Sequence, residues 1–181
     1  QELPRLGGGW RLCAPEGLEI AGEALPLGKA YGRGGIQRAG DIVLRPYRRG
    51  GLVRFLNAGT YASSARFQRE LQIHRALWDA GFPTVEPLGC AHRRRAWGFE
   101  GVFITRLAQA QPWPRCWERS AGMASQIAAL LRALCAWGLW APDLNATNLM
   151  VTPEGRVLAL DWDRAAWEPR ALSIIWVSWP L

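Results

Sequence analysis

The chain has 181 residues, 49% of them hydrophobic and 20% charged, which excludes a disordered polypeptide and fits one domain or two small lobes sharing a cleft. A net charge of +7, carried almost entirely by arginine, calls for an anionic partner: nucleic acid, anionic lipid or a phosphorylated substrate. Four scattered cysteines without a C-x-x-C pair, and two histidines, His74 and His92, argue against a zinc site and for a reducing compartment, and no apolar run is long enough to span a membrane.

Residues 1–24 are rich in Gly and Pro, show weak periodicity and lack the apolar core of a secretory leader. They read as a leading segment with one short strand, and a first residue other than Met reads as the start of a fragment or a processed form. Residues 25–31 predict a strand, followed by Gly32-Arg33-Gly34-Gly35. That cluster serves either as an ordinary hairpin turn or as a cradle of backbone amides for phosphate. A turn at Ala39-Gly40-Asp41 leads into a short buried strand, Ile42-Val43-Leu44-Arg45, which carries one cation. The loop P-Y-R-R-G-G at 46–51 adds Arg48 and Arg49, either a solvated basic patch or a contact for an anionic substrate.

Residues 63–80 predict a helix: Phe67, Leu71, His74 and Trp78 recur at spacings of three and four, with Ile73 and Leu77 widening the stripe. Ser63 or Ser64 caps its start, and Gly81 before Phe82-Pro83 ends it. Glu70 falls at the edge of this stripe, aimed toward the Arg45 strand, and His74 reads as a packed histidine. Strands are expected at 84–90 and 101–104, flanking a solvated turn His92-Arg93-Arg94-Arg95. The proline-punctuated run 105–114 is the expected boundary between lobes. A second amphipathic helix is expected over 119–137, burying Ile127, Leu130, Leu131, Leu134 and Trp137 and stopping at Gly138. The apolar end, 171–181, reads as a buried strand, an aggregation-prone end or a membrane-touching tail.

The most informative stretch is 141–164, A-P-D-L-N-A-T-N-L-M-V-T-P-E-G-R-V-L-A-L-D-W-D-R. Asp143 and Asn148 stand five residues apart in a polar loop, and two apolar segments joined at Thr152-Pro153-Glu154-Gly155 predict a hairpin that returns Asp161 to the end where Asn148 lies. The plain alternative is a surface hairpin with capping Asp and Asn residues. Carboxylate and amide oxygens converging there make a hard-oxygen site suited to Mg²⁺, which keeps waters and phosphate oxygens as its other ligands. D-x-x-x-x-N followed by D is also the arrangement with which protein-kinase-like enzymes hold a base and a metal–nucleotide.

Taken together, G-R-G-G at 32–35, V-L-R-P-Y-R-R-G-G-L-V at 43–53, F-Q-R-E-L at 67–71, D-L-N-A-T-N-L at 143–149 and L-D-W-D-R at 160–164 resemble the lipopolysaccharide kinases that phosphorylate 3-deoxy-D-manno-octulosonic acid (Kdo). The resemblance covers roughly residues 25–165. It implies an α+β, protein-kinase-like two-lobed fold: a leading segment 1–24, a β-rich nucleotide-binding lobe with one helix at 25–107, and a mainly helical catalytic lobe at 108–181 whose closing helices are missing or shortened. It implies Asp143 as catalytic base, Asn148 and Asp161 as ligands of Mg²⁺, and Gly32, Gly34 and Gly35 as cover for the phosphates of ATP. Arg45 would stand where most kinases carry the phosphate-binding lysine, with Glu70 as its helix partner. The implied acceptor is the 4-hydroxyl of Kdo on a lipid A precursor, reached from the cytoplasmic side of the anionic inner membrane by a peripheral protein, with no nucleic acid as partner.

Departures from kinases in general are visible. Ala141 stands where His is usual, two residues before Asp143; Pro142 directly precedes that Asp; and Trp162-Asp163 replace Phe-Gly. Arg for Lys at position 45 keeps the charge but changes a point charge into a planar fork. The alternatives are a kinase of another small-molecule or lipid hydroxyl, or a degenerate kinase-like module that binds nucleotide without catalysis.

Overall fold

The computed structural model describes residues 9–14, 18, 25–26, 35–47, 60–116 and 122–168. The chain divides into two units, 1–75 with 86–107 and 76–85 with 108–181.

The first unit is built on an antiparallel sheet of six strands: β1 (Trp10–Cys13), β2 (Leu25–Pro26), β3 (Gln37–Ala39), β4 (Ile42–Pro46), β5 (Pro87–Arg95) and β6 (Gly98–Arg106). Their spatial order is β1-β5-β6-β4-β3-β2. Because successive side chains on a strand point to opposite faces, the sheet sorts its apolar residues into two clusters. One face gathers Trp10, Ile42, Leu44, Leu88, Ala91, Val102 and Ile104. The other gathers Tyr47, Tyr61, Phe67, Cys90 and Phe103, with Leu71 and Phe99 against them. Burial, and then the thiol of Cys13 directly across the strand pair, push the Cys90 thiol above its usual range.

Helix α1 (Ala65–Asp79) supplies Phe67 and Leu71 to that second face. Its N-terminal amide at Ala65 donates to Ser63 Oγ at 3.1 Å. Its end is a Schellman turn: Gly81, at φ +74°, donates its N–H to Trp78 O, and Phe82 donates to Leu77 O. The buried stripe of α1 is Phe67, Glu70, Ile73, His74 and Leu77, so the helix is rolled relative to the expected face and leaves Trp78 42% exposed. His74 is buried flat against Phe103, ring centroids 5.3 Å apart.

The expected turn at His92–Arg95 is strand instead. β5 continues to Arg95, the reversal is the two residues Ala96 and Trp97, and Arg95 pairs with Gly98. Two features extend the ladder. Arg93 and Arg95 both reach Glu100 across the hairpin, at 2.6 and 3.0 Å, so arginines that read as solvated are paired. Gly98 also lets the backbone of Tyr61 bridge to Phe99, where a Cβ at Gly98 would lie 2.4 Å from Tyr61 O. Burial alone would raise the Glu100 carboxyl, but hydrogen bonds from Arg95 and Arg93, with their charges, outweigh it and hold the group below its usual range. His92, expected at a solvated tip, is buried between Phe67 and Phe99, and that burial disfavours its protonated form.

In the second unit, β7 (Gln111–Pro112), β9 (Leu149–Val151) and β10 (Val157–Ala159) form a sheet in the order β10-β9-β7, and β8 (Leu139–Trp140) pairs with β11 (Ala166–Trp167). The proline-rich run is thus partly structured: its first two residues finish β6, Gln111–Pro112 pair with β9, and Trp113–Arg115 form a 3-10 turn. Helix α2 (Met123–Ala136) buries Met123, Leu130 and Leu134. Residues 119–121 of its expected span lie outside the described residues. Trp137, expected on its buried face, is the C-cap and is partly exposed against Phe82, and Gly138 at φ +66° turns the chain away.

Gly101 of β6 sits under the Phe67 ring: a Cβ there would lie 2.5 to 2.7 Å from three ring atoms, and the ring is fully buried. Gly101→Ala is expected to destabilise the protein by about 2 kcal/mol through overpacking. Denaturant unfolding measures this, and Phe67→Leu combined with Gly101→Ala should recover part of the loss.

Candidate active site

Two groups of polar residues stand out, one in each unit. In the first, β4 places Arg45 opposite Phe103 of β6, and Tyr47 follows two residues later. Glu70 of α1 is buried, with 1% of its surface exposed, and both of its carboxylate oxygens are engaged. Oε1 accepts from Arg45 Nη2 and Oε2 accepts from the hydroxyl of Tyr47. The Arg45 guanidinium also lies 5.6 Å from the Tyr47 ring centroid and 5.5 Å from that of Phe103. A guanidinium can lie against ring faces while its fork of N–H donors still reaches a carboxylate, a combination that suits arginine here better than the point charge of lysine. Its side chain keeps 30% of its surface in solvent. One end of the cation therefore meets protein while part remains accessible to an anion.

The second group lies in the loop between β8 and β9 and just beyond β10. The loop is held by its own amides. Asn145 Nδ2 and Asn148 Nδ2 both donate to the carbonyl oxygen of Asp143, at 2.9 and 2.7 Å. Asn145 Oδ1 accepts from the Thr147 amide and from its hydroxyl, capping the 3-10 turn Ala146–Asn148. These bonds hold Asp143 and Asn148 across one turn. With its NH₂ committed to the loop, Asn148 presents Oδ1 as its remaining polar atom. The Asp143 carboxylate accepts from Arg164 Nη1 at 3.1 Å. The hairpin closes with Val157 opposite Val151 and Ala159 opposite Leu149, and Leu160 N–H donates to Asn148 O at 2.8 Å. Asp161 follows immediately, at φ +69°, the one non-glycine residue with positive φ among the described residues.

The structure therefore brings Arg45 to Glu70, and Asn148 to Asp143 and to the residue before Asp161. Gly35 is described, exposed and at φ +90°, whereas Gly32 and Gly34 lie outside the described residues. No three His, Cys, Asp or Glu side chains converge as a metal site among the described residues. An amide oxygen and a carboxylate form a hard-oxygen pair that fits Mg²⁺, a cation that retains waters and phosphate oxygens as ligands. Sequence reasoning singled out neither Tyr47 nor Arg164 as site residues. Both lie inside motifs it used, P-Y-R-R-G-G and L-D-W-D-R, but their partners are 23 and 21 residues away.

The lipopolysaccharide kinase (Kdo/WaaP) family pattern matches residues 26–171. The chain belongs to this family. Among its relatives, a 3-deoxy-D-manno-octulosonic acid kinase of Xylella fastidiosa strain M12 is 30% identical over 141 residues, 70% of this chain and 54% of the relative. That of strain M23 is 28% identical over the same shares of each chain. The chain thus spans about half the length of the curated relatives it matches. A solved structure of the bifunctional kinase-methyltransferase WbdD aligns with a TM-score of 0.49 at 18% identity, covering 80% of this chain and 31% of that one. Family membership makes the α+β fold a kinase-like one, and both polar groups fall inside the matched span.

Glu70→Ala would leave the Tyr47 hydroxyl and the Arg45 guanidinium facing a void. The expected cost is about 3 kcal/mol, at the low end for a broken buried pair because Arg45 still reaches water. Glu70→Gln, which keeps the shape and an acceptor, should cost less. Denaturant midpoints of the two variants measure the difference.

Proposed function

We propose that this chain is the ATP-using part of a kinase that phosphorylates a sugar hydroxyl, the 4-hydroxyl of Kdo on a lipid A precursor, in lipopolysaccharide core assembly. The observation that carries this reading is the family match over 26–171, which includes Arg45, Glu70, Asp143, Asn148 and Asp161 together. The Kdo kinases among its relatives support the choice of acceptor.

Phosphoryl transfer asks the protein mainly for positioning and for neutralising charge on the transferred group. Asp143 takes the role of base, orienting the acceptor hydroxyl and accepting its proton. Asn148 Oδ1 and the Asp161 carboxylate are the residues to hold Mg²⁺, whose charge when bound offsets that of the phosphate oxygens. Arg45, anchored by Glu70 and Tyr47, offers its accessible side to nucleotide phosphate, and Gly32, Gly34 and Gly35 are assigned to cover the phosphates. Arg164 Nη1 donates to the Asp143 carboxylate, which orients it.

Two features favour a second reading, a nucleotide-binding module without catalysis: Ala141 in place of the usual His, and the occupation of Asp143 by Arg164. One experiment separates the two readings. Incubation of the chain with Mg²⁺, ATP and a Kdo-bearing lipid A precursor should release ADP in an acceptor-dependent way, and Asp143→Ala should lower the rate by about 10²- to 10⁴-fold. Nucleotide binding with no ADP release supports the second reading. Undiminished turnover in Asp143→Ala removes that residue from the base role.

An acceptor of this kind is an anionic glycolipid, and we propose that the protein meets it as a peripheral protein at the cytoplasmic face of the inner membrane. No described helix is long and apolar enough to cross a membrane. The tip of the β5–β6 hairpin supports surface contact: Trp97 is 88% exposed, beside exposed Arg94 and Arg95. A tryptophan flanked by cations suits the headgroup region of an anionic bilayer. Arg94→Gln is expected to weaken sedimentation with phosphatidylglycerol-containing vesicles by about fivefold, the equivalent of about 1 kcal/mol per basic side chain at such a surface. Trp97→Ser should weaken it further, with neither change affecting ADP release from a soluble acceptor.

A further inference from the structure

Asp161 is in the left-handed backbone region, which non-glycine residues adopt uncommonly and Asp more readily than most. Hydrogen bonds from both sides of it converge on the Thr84 hydroxyl. Before Asp161, the buried Ala159 donates its N–H to Pro83 O at 2.9 Å, and its carbonyl accepts from the hydroxyl of Thr84 at 2.7 Å. After Asp161, the indole of Trp162 is fully buried, and its Nε1–H donates to the same Thr84 hydroxyl at 3.1 Å. Phe82 packs edge-on against that indole, ring centroids 5.5 Å apart. Thr84 is itself buried. A hydroxyl has one proton to give and lone pairs to receive; here it gives to the strand end and receives from the ring. The direction is forced, because an indole N–H can only donate and a carbonyl can only accept.

We infer that Thr84 is a positioning residue: its hydroxyl staples the two flanks of Asp161 and presets the carboxylate to which the kinase reading gives the metal. The inference rests on that reading for its consequence and on the geometry for the staple. No local pattern in the sequence signals it, because the two partners of Thr84 lie 75 and 78 residues further along the chain. Valine at this position keeps the shape and removes the hydroxyl, leaving a buried N–H and a buried carbonyl without this partner. Serine keeps the hydroxyl. Trp162→Phe keeps an aromatic ring and removes the donor.

The test uses the full chain with ¹⁵N-labelled tryptophan, the Trp162 indole signal being identified by its loss in Trp162→Phe. In Thr84→Val the indole N–H should exchange with solvent faster than in wild type, without metal or nucleotide present. Affinity for the Mn²⁺–ATP complex, read by equilibrium dialysis with ATP in excess over the metal, should fall about tenfold, as for other residues that orient a ligand from outside the coordination sphere. Trp162→Phe should show the same loss of affinity, so the conclusion does not hang on one variant folding, and Thr84→Ser should restore both readouts. Unchanged Mn²⁺ affinity in both Thr84→Val and Trp162→Phe, with normal wild-type binding, overturns the positioning role alone. A wild-type chain that binds no Mn²⁺ with ATP overturns the kinase reading and, with it, the consequence for the metal.

Discussion

A carboxylate cut off from water must have its charge and both oxygens answered, and the first unit is arranged around one that does. Arg45 on β4 and Tyr47 just beyond it both reach the buried Glu70 carboxylate, answering its charge and both oxygens. That requirement fixes the roll of α1: the turn that carries Glu70 must face β4, which sends Trp78 outward and presses Phe67 onto Gly101. It also sets which face of β4 meets the helix. Ile42 and Leu44 go to the far cluster, while Arg45 and Tyr47 stay beneath α1. The same contacts leave a cation rigid and partly accessible, the state in which it best serves an anionic ligand. A lysine at this position would bring a point charge without the planar fork that stacks on the rings of Tyr47 and Phe103.

The second unit solves its positioning problem with backbone and amides in place of a buried charge. Two asparagine side chains converge on the single carbonyl of Asp143, and the hairpin returns the chain so that Leu160 binds Asn148. Positioning by short local bonds places few demands on the rest of the fold. The exception is Asp161, whose left-handed backbone lies beside a fully buried indole that bonds a side chain 78 residues away.

Features with a local physical cause were legible in the sequence. The period of three and four between apolar residues placed α1, the glycine after it placed its end, and T-P-E-G between two apolar segments placed the β9–β10 hairpin. The inward aim of Glu70 toward Arg45 was legible because a lone acid at the edge of an apolar stripe needs a cation. Features set by pairing across the chain were not. Consecutive arginines at 93–95 read as a solvated turn because their partner, Glu100, becomes a neighbour only once the hairpin forms. Trp78 read as core because hydrophobicity does not tell which of two adjacent stripes faces inward when a buried glutamate decides the roll, and Trp137 because the pattern does not show that the helix ends there. Tyr47 and Arg164 were inside the motifs yet unassigned, since their bonds are to residues in other elements.

The fully buried indole of Trp162 bears on how this site could be drugged. A recess beside Asp161 could open only if this ring swung aside, and the ring is packed against Phe82 and tied by a buried hydrogen bond. Displacing it would expose a polar group at a cost of about 1–3 kcal/mol before any gain from the compound. Chemistry aimed at such a recess would meet a filled one.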